Sequence, residues 1–212
     1  MALLAALIAS ALAHGGPQAS PTAVRADFSR AGSNPPPSAP VRSVVPGGWA
    51  ACPLAVAPAG YVNPLLGATV KPERIDQGVD YAGSGTLVAI GSGRVTYLAT
   101  SNTGWPGAFI EYQLLGGADA GCYVFYAEGV VPADGLRVGA TVGAGQPIAT
   151  IIPQYPSGIE IGWGAGIGTK AYAKVAGKWS ASDDQDNVAT AAGKSFSALI
   201  AALGGPPGKV EG

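Results

Sequence analysis

The sequence predicts a mainly β protein: a compact antiparallel sheet of barrel or sandwich type, with a C-terminal helix and an irregular N-terminal arm. Three observations lead there. Gly (33) and Pro (18) are frequent among the 212 residues, which favours short strands joined by tight turns over long helices. Residues Ala108 to Leu115 alternate, with Ile110, Tyr112 and Leu114 on one face and Phe109, Glu111 and Gln113 on the other, the period of a strand. Thr86 to Ile90 and Arg94 to Ala99 are runs rich in β-formers parted by Gly91-Ser92-Gly93, which reads as a turn.

Taken in order, residues 1–13 are apolar and end in Ala11-Leu12-Ala13, a small-x-small pattern suited to signal peptidase. The stretch predicts a signal peptide and a secreted, extracellular protein. It is too short to span a bilayer, so no transmembrane segment is expected in the mature chain. It lacks a Lys or Arg near its start, which leaves room for an upstream piece. Residues 14–46 are rich in Pro, Ser, Ala and Gly, with Pro35-Pro36-Pro37 at the centre. They cannot bury enough apolar surface to fold and read as a linker or wall-spanning spacer.

The β domain is expected over 47–175, opening with an arm that carries Trp49 and Cys52. Cys122 to Ala127 reads as the central strand, Val138-Gly139 and Val142 to Gln146 as glycine corners, and Pro147 to Ile152 and Ser157 to Gly164 as the last strands. Lys170 to Val175 suits an edge strand or hairpin arm. Residues 176–212 should hold a helix and tail. Phe196, Leu199, Ile200 and Leu203 form one apolar face that ends at Gly204-Gly205-Pro206. The acidic run Asp183 to Asp186 suggests a start capped by Asp186 or Asn187.

Charge narrows the function. Charged residues are 12% of the chain and the net charge is −1, which argues against nucleic acid or an anionic membrane surface as partner. Two cysteines, Cys52 and Cys122, suggest in an exported protein one disulfide tying the arm to the central strand, the alternative being two buried thiols. The one histidine is His14, just past the expected cleavage site. The folded domain therefore has no imidazole to serve as base or metal ligand.

The order of these units resembles the lysostaphin-type zinc endopeptidases of peptidoglycan, over roughly residues 61–166. That family opens with His-x-Gly-x-Asp, then has a Gly-Thr-x-Val-x-Ala strand and a Gly-x-Val strand. A Tyr-Ala-His-Leu strand, a Val-x-x-Gly-x-x-Val-x-x-Gly-Gln-x-Ile corner and a His-x-His strand follow. This chain has Asp76-Gln77-Gly78-Val79-Asp80, Gly85-Thr86-Leu87-Val88-Ala89, Gly93-Arg94-Val95 and Tyr126-Ala127-Glu128-Gly129. It continues with the corner Val138 to Ile148 and ends with Gly158-Ile159-Glu160. The corner by itself is also found in biotinyl and lipoyl carriers, but the modified hairpin lysine of those domains is lacking.

The resemblance implies a zinc site, and the residues depart from it. The first zinc histidine falls on Asp76, the zinc aspartate is kept as Asp80, and the zinc histidine of His-x-His falls on Glu160, with Gly158 in place of its partner. The histidine of Tyr-Ala-His falls on Glu128. A catalytic zinc needs nitrogen or sulfur donors, so zinc-peptidase activity and zinc itself are not expected. Asp and Glu make up 13 of 212 residues, so three carboxylates would fill three such positions by chance about 10⁻⁴ of the time.

Several readings remain open on the sequence. A convergent acidic groove could bind or remodel wall polysaccharide or peptidoglycan, with a hard cation (Ca²⁺ or Mg²⁺) at Asp76, Asp80 and Glu160 and Gln77, Tyr81, Trp105 and Trp163 on the ligand. It could equally be a glycoside hydrolase with Glu128 and Glu160 as acid and base or nucleophile and Asp80 tuning them. An inactive regulatory or structural domain is a third reading. In the plainest one, Asp76 and Glu160 are exposed loop charges, Glu128 pairs with Arg74 or Arg94, and the tryptophans simply pack.

Overall fold

The computed structural model describes residues 52–153, 158–168, 171 and 188–211. The expected signal peptide, linker and acidic helix start, and all but Ala171 of the expected edge strand, lie outside these residues. Nine strands form one sheet: β1 (Gly67–Ile75), β2 (Val79–Val88), β3 (Gly93–Ala99), β4 (Phe109–Leu114), β5 (Tyr123–Glu128), β6 (Val130–Pro132), β7 (Thr141–Val142), β8 (Pro147–Ile151) and β9 (Ile159–Gly164). A helix, α1 (Ala191–Ala202), follows. The class is mainly β, as the alternation and the glycine turns predict. Among the described residues no helix is long and apolar enough to cross a membrane.

The sheet runs β6-β8-β2-β9-β5-β4-β3-β7, with β1 laid on β2, and the strand pairs are antiparallel. Strand β2 changes partner along its length. Val79–Tyr81 pair with β9, and Gly85–Val88 pair with β8. Gly85, where the second stretch begins, has φ 115°, a backbone conformation that side chains rarely tolerate. No strand signal in the sequence marks β1, the short β6 and β7 or the first half of β2, and the longest strand missed is β1. It contains Pro72 and alternates between exposed and half-buried residues over most of its length, so no apolar pattern announces it.

Strand parity divides the sheet into two faces. Val79, Tyr81, Ile110, Tyr112, Val124, Tyr126, Ile159, Ile161 and Trp163 belong to the main core, together with Phe196, Leu199 and Ile200 of α1. Burying these side chains supplies the main driving force, at about 1.5–3 kcal/mol for each large apolar group. The polar ends of the core tyrosines are satisfied. Tyr126 donates its hydroxyl hydrogen to the Val88 carbonyl at 2.7 Å, and the Tyr112 oxygen accepts from Ile90 N at 2.9 Å. The opposite face carries a smaller cluster of Phe109, Phe125, Ala127 and Ala171, with Tyr97 and Trp105 packed on it.

The helix starts later than the acidic run suggests. Thr190 is the N-cap, its side chain accepting from Gly193 N at 3.0 Å. Thr190 also donates both N–H (3.0 Å) and Oγ1–H (2.7 Å) to the Asp76 carbonyl. The first turn is made of Ala191, Ala192 and Gly193, and a Cβ on Gly193 would collide with the Asp76 carbonyl. Small residues therefore set the start, because they let the helix end close on the turn before β2. The far end matches expectation: Gly204 is left-handed at φ 78°, and Gly205 N–H bonds to the Ile200 carbonyl at 2.9 Å, a Schellman stop. The arm is held by the Cys52–Cys122 disulfide, whose Cα atoms are 5.5 Å apart.

Candidate functional site

The turn Asp76-Gln77-Gly78 and the β2–β9 pairing build an acidic cluster. Asp80 and Glu160 are direct cross-strand partners. Glu160 in turn faces Ala127 on β5, so these side chains share the sheet face opposite the main core. Asp76 enters from the turn, where its Oδ1 accepts from Gly78 N at 3.3 Å, a local Asx-type bond. One carboxylate oxygen from each of Asp76, Asp80 and Glu160 lies within 4.8 Å of the others. All three residues are buried. Asp76 and Glu160 are therefore not the exposed loop charges of the plainest reading.

Among the described residues, the countercharge in contact with the cluster is Arg74. Its Nε lies 2.8 Å from Asp80 Oδ2 and 3.6 Å from Asp76 Oδ2. The C-terminal tail fixes this residue's strand: Arg74 and Lys209 form a parallel bridge, with Ile75 N bonded to the Lys209 carbonyl at 2.8 Å and Lys209 N to the Glu73 carbonyl at 2.7 Å. Helix cap, tail and sheet register thus converge on one group of charges.

The electrostatics follow from the burial. Loss of solvent pushes the Asp80 carboxyl up to about 8; the charges of Asp76 and Glu128 push the same way and Arg74 opposes them. Glu160 is raised well above its ordinary value, first by burial and then by Asp76 and Asp80. Carboxylates this close must share a proton or a cation.

Glu128 sits at the end of β5 with φ 71°. A left-handed glutamate costs roughly 1–3 kcal/mol and is held only where its surroundings demand it. The demand comes from Gly107. A Cβ there would overlap the Glu128 carbonyl and meet Val130 N at 2.6 Å, so the 100–107 loop crosses the strand end at the closest possible range. Ala108 N also bonds to the Val130 carbonyl at 2.8 Å. Glu128 is half-buried, and its charge acts on both Asp80 and Glu160. Gln77 is half-buried in the turn, and Trp105 is half-buried over the Phe109 cluster on the same sheet face.

Two expected ligand contacts belong to the core instead. Trp163 is fully buried, edge-on to Phe196 at 5.2 Å between ring centres. Tyr81 is also fully buried and donates to the Pro206 carbonyl at 2.9 Å. Period two explains both: if Asp80 and Glu160 lie on the face opposite the main core, Tyr81 and Trp163 must face the core. Residue type suggested contact with sugar, and parity excludes it. Glu111 is a further buried charge, on the face opposite the main core where the alternation of β4 places it.

The donor set does not fit the zinc that the resemblance implies. Asp76, Asp80 and Glu160 offer oxygen only, and the described residues include no histidine and no free cysteine, the two cysteines being bridged. Hard cations suit such donors. No protein-family model matches the chain, and no curated protein does. Among solved structures, the chain is similar to the NMR solution structure of lysostaphin, at a TM-score of 0.39 and 19% identity, over 50% of this chain and 47% of that one.

Proposed function

We propose that this is a secreted wall-binding module, holding a peptidoglycan or wall-glycan strand along the sheet face that carries Trp105 and Tyr97, without zinc-peptidase chemistry. The observation that carries the reading is the split between buried and reachable groups. Asp76, Asp80 and Glu160 lie beneath the surface, locked by Arg74 and the helix cap. The half-buried Trp105 and Tyr97 form the accessible part of the same face, and the half-buried Glu128, at the end of β5, lies near enough for its charge to act on Asp80 and Glu160. Buried carboxyls cannot reach a glycosidic oxygen as general acids, so binding is favoured over hydrolysis. An apolar indole beside carboxylates suits a polymer with sugar faces and amine-bearing stems. Export is supported by the apolar N-terminal stretch and by the disulfide.

The test is co-sedimentation with purified sacculi. Wild-type protein should pellet with them and release no soluble fragments. Trp105→Ala should weaken binding about tenfold, the effect of ~1.4 kcal/mol at a central aromatic contact, with the folded state retained by circular dichroism. Release of reducing sugar by the wild type, lost in Glu128→Gln, would replace this reading with the hydrolase. Equal binding by wild type and Trp105→Ala would remove the ligand from this face.

A further inference from the structure

Buried oxygen acceptors in folded proteins are almost always hydrogen-bonded. Two in the acidic cluster are not: Asp80 Oδ1 and Glu160 Oε1 are buried without a hydrogen-bond partner, in residues only 3% and 8% exposed. They belong to two of the three residues whose oxygens lie within 4.8 Å of one another. The other oxygen of Asp80 is occupied, since Oδ2 is the atom that meets Arg74 Nε at 2.8 Å. Arg74 therefore fixes the carboxylate through one oxygen and leaves the other buried without a hydrogen-bond partner. A metal-binding carboxylate is commonly held by an outer partner in this way.

Charge and distance then select the ligand. Three ionised carboxylates and one guanidinium leave two negative charges, which one divalent cation neutralises. Two oxygens bound to a single Ca²⁺ lie at most about 5 Å apart, twice its ~2.3–2.6 Å bond, whereas Mg²⁺ allows only about 4.2 Å and demands near-ideal octahedral placement. A spacing of up to 4.8 Å sits inside the first limit. The all-oxygen donor set disfavours Zn²⁺.

We propose that Asp76, Asp80 and Glu160 form a calcium site, with Arg74 as the positioning residue behind Asp80. Three protein ligands leave the remaining positions to water, so affinity falls in the range of extracellular modules, about 10⁻⁴–10⁻³ M. A calcium ion here would cross-link the β1–β2 turn to β9 and so stiffen the floor beneath Glu128. The site stands apart from the wall-binding reading, because it is tested with the metal alone.

The experiment is calorimetric titration of chelator-treated protein with CaCl₂, MgCl₂ and ZnCl₂ in turn, paired with melting curves. Calcium should bind one ion per chain, at least tenfold more tightly than magnesium. At 5 mM it should raise the melting temperature by roughly 3–5 °C. Asp80→Asn and Glu160→Gln should each abolish both signals. Glu160→Gln removes a buried charge with no ion-pair partner among the described residues, so its melting temperature without calcium should equal or exceed that of the wild type, which separates lost binding from lost folding. No heat and no melting shift with the wild type would overturn the site. So would a calcium response retained in both variants, or zinc binding that is tighter than calcium and lost in both.

Discussion

Replacing Cys52 and Cys122 together by alanine is expected to lower the free energy of unfolding by about 4 kcal/mol. The bridge spans 70 residues of sequence, and closing a loop of that size in the unfolded chain removes roughly this much conformational freedom. For a domain of this size the loss corresponds to a fall in melting temperature of roughly 10 °C. The local structure gives the effect a direction. Beside the bridge, Ala55 N donates to Asp119 Oδ1 at 2.9 Å, and Ser195 Oγ donates to the Leu54 carbonyl at 2.7 Å. The arm thus ties the β4–β5 turn to α1. Releasing it should loosen the helix start and the Thr190 cap on Asp76. Guanidinium unfolding of oxidised wild type, reduced wild type and the double variant checks this. The two thiol-free or reduced forms should unfold together at lower denaturant than the oxidised protein. Coincidence of all three midpoints would mean that hydrogen bonds alone hold the arm.

How much of this was legible in the sequence depended on how local the cause was. β3, β4, β5, β8 and β9 were readable because alternation, β-branching and glycine turns are short-range signals. β1 was not, because its stability comes from lying on β2, a tertiary fact that Lys71, Pro72 and Glu73 do nothing to advertise. The helix face was legible and its start was not, since Thr190 is selected by the carbonyl of Asp76, 114 residues away. At the site, motif order singled out Asp76, Asp80 and Glu160, and the register of β2 against β9 brings Asp80 and Glu160 face to face. The burial of these groups was not legible, nor was the role of Arg74, because both depend on the tail and the helix closing around them. Tyr81 and Trp163 are a different kind of miss. Their parity relative to Asp80 and Glu160 was already in the sequence and outweighs the suggestion made by their chemistry.

Glu111→Gln is expected to stabilise the protein at pH 8 by about 3 kcal/mol and to leave it nearly unchanged at pH 4. Glu111 is fully buried on β4. Its Oε2 accepts from Gly166 N at 2.8 Å and its Oε1 from Thr96 Oγ1 at 3.1 Å. Burial pushes its carboxyl from 4.5 up to about 7, against the pull of those two bonds. Between these values the folded chain holds a proton that the unfolded chain has released. Stability is therefore greatest below about pH 4.5, falls as pH rises through the window, and is fully reduced above about 7. Glutamine keeps an acceptor for Gly166 N and carries no charge, so it escapes this loss. Unfolding midpoints of both proteins from pH 4 to 8 should diverge steadily as pH rises; a constant difference would show that Glu111 does not titrate in this range. A gain from so small a change would also mean that the carboxylate is retained against stability. Residues kept on those terms tend to serve function. Glu111 anchors Gly166, just past the end of β9, the strand that presents Glu160 to Asp80.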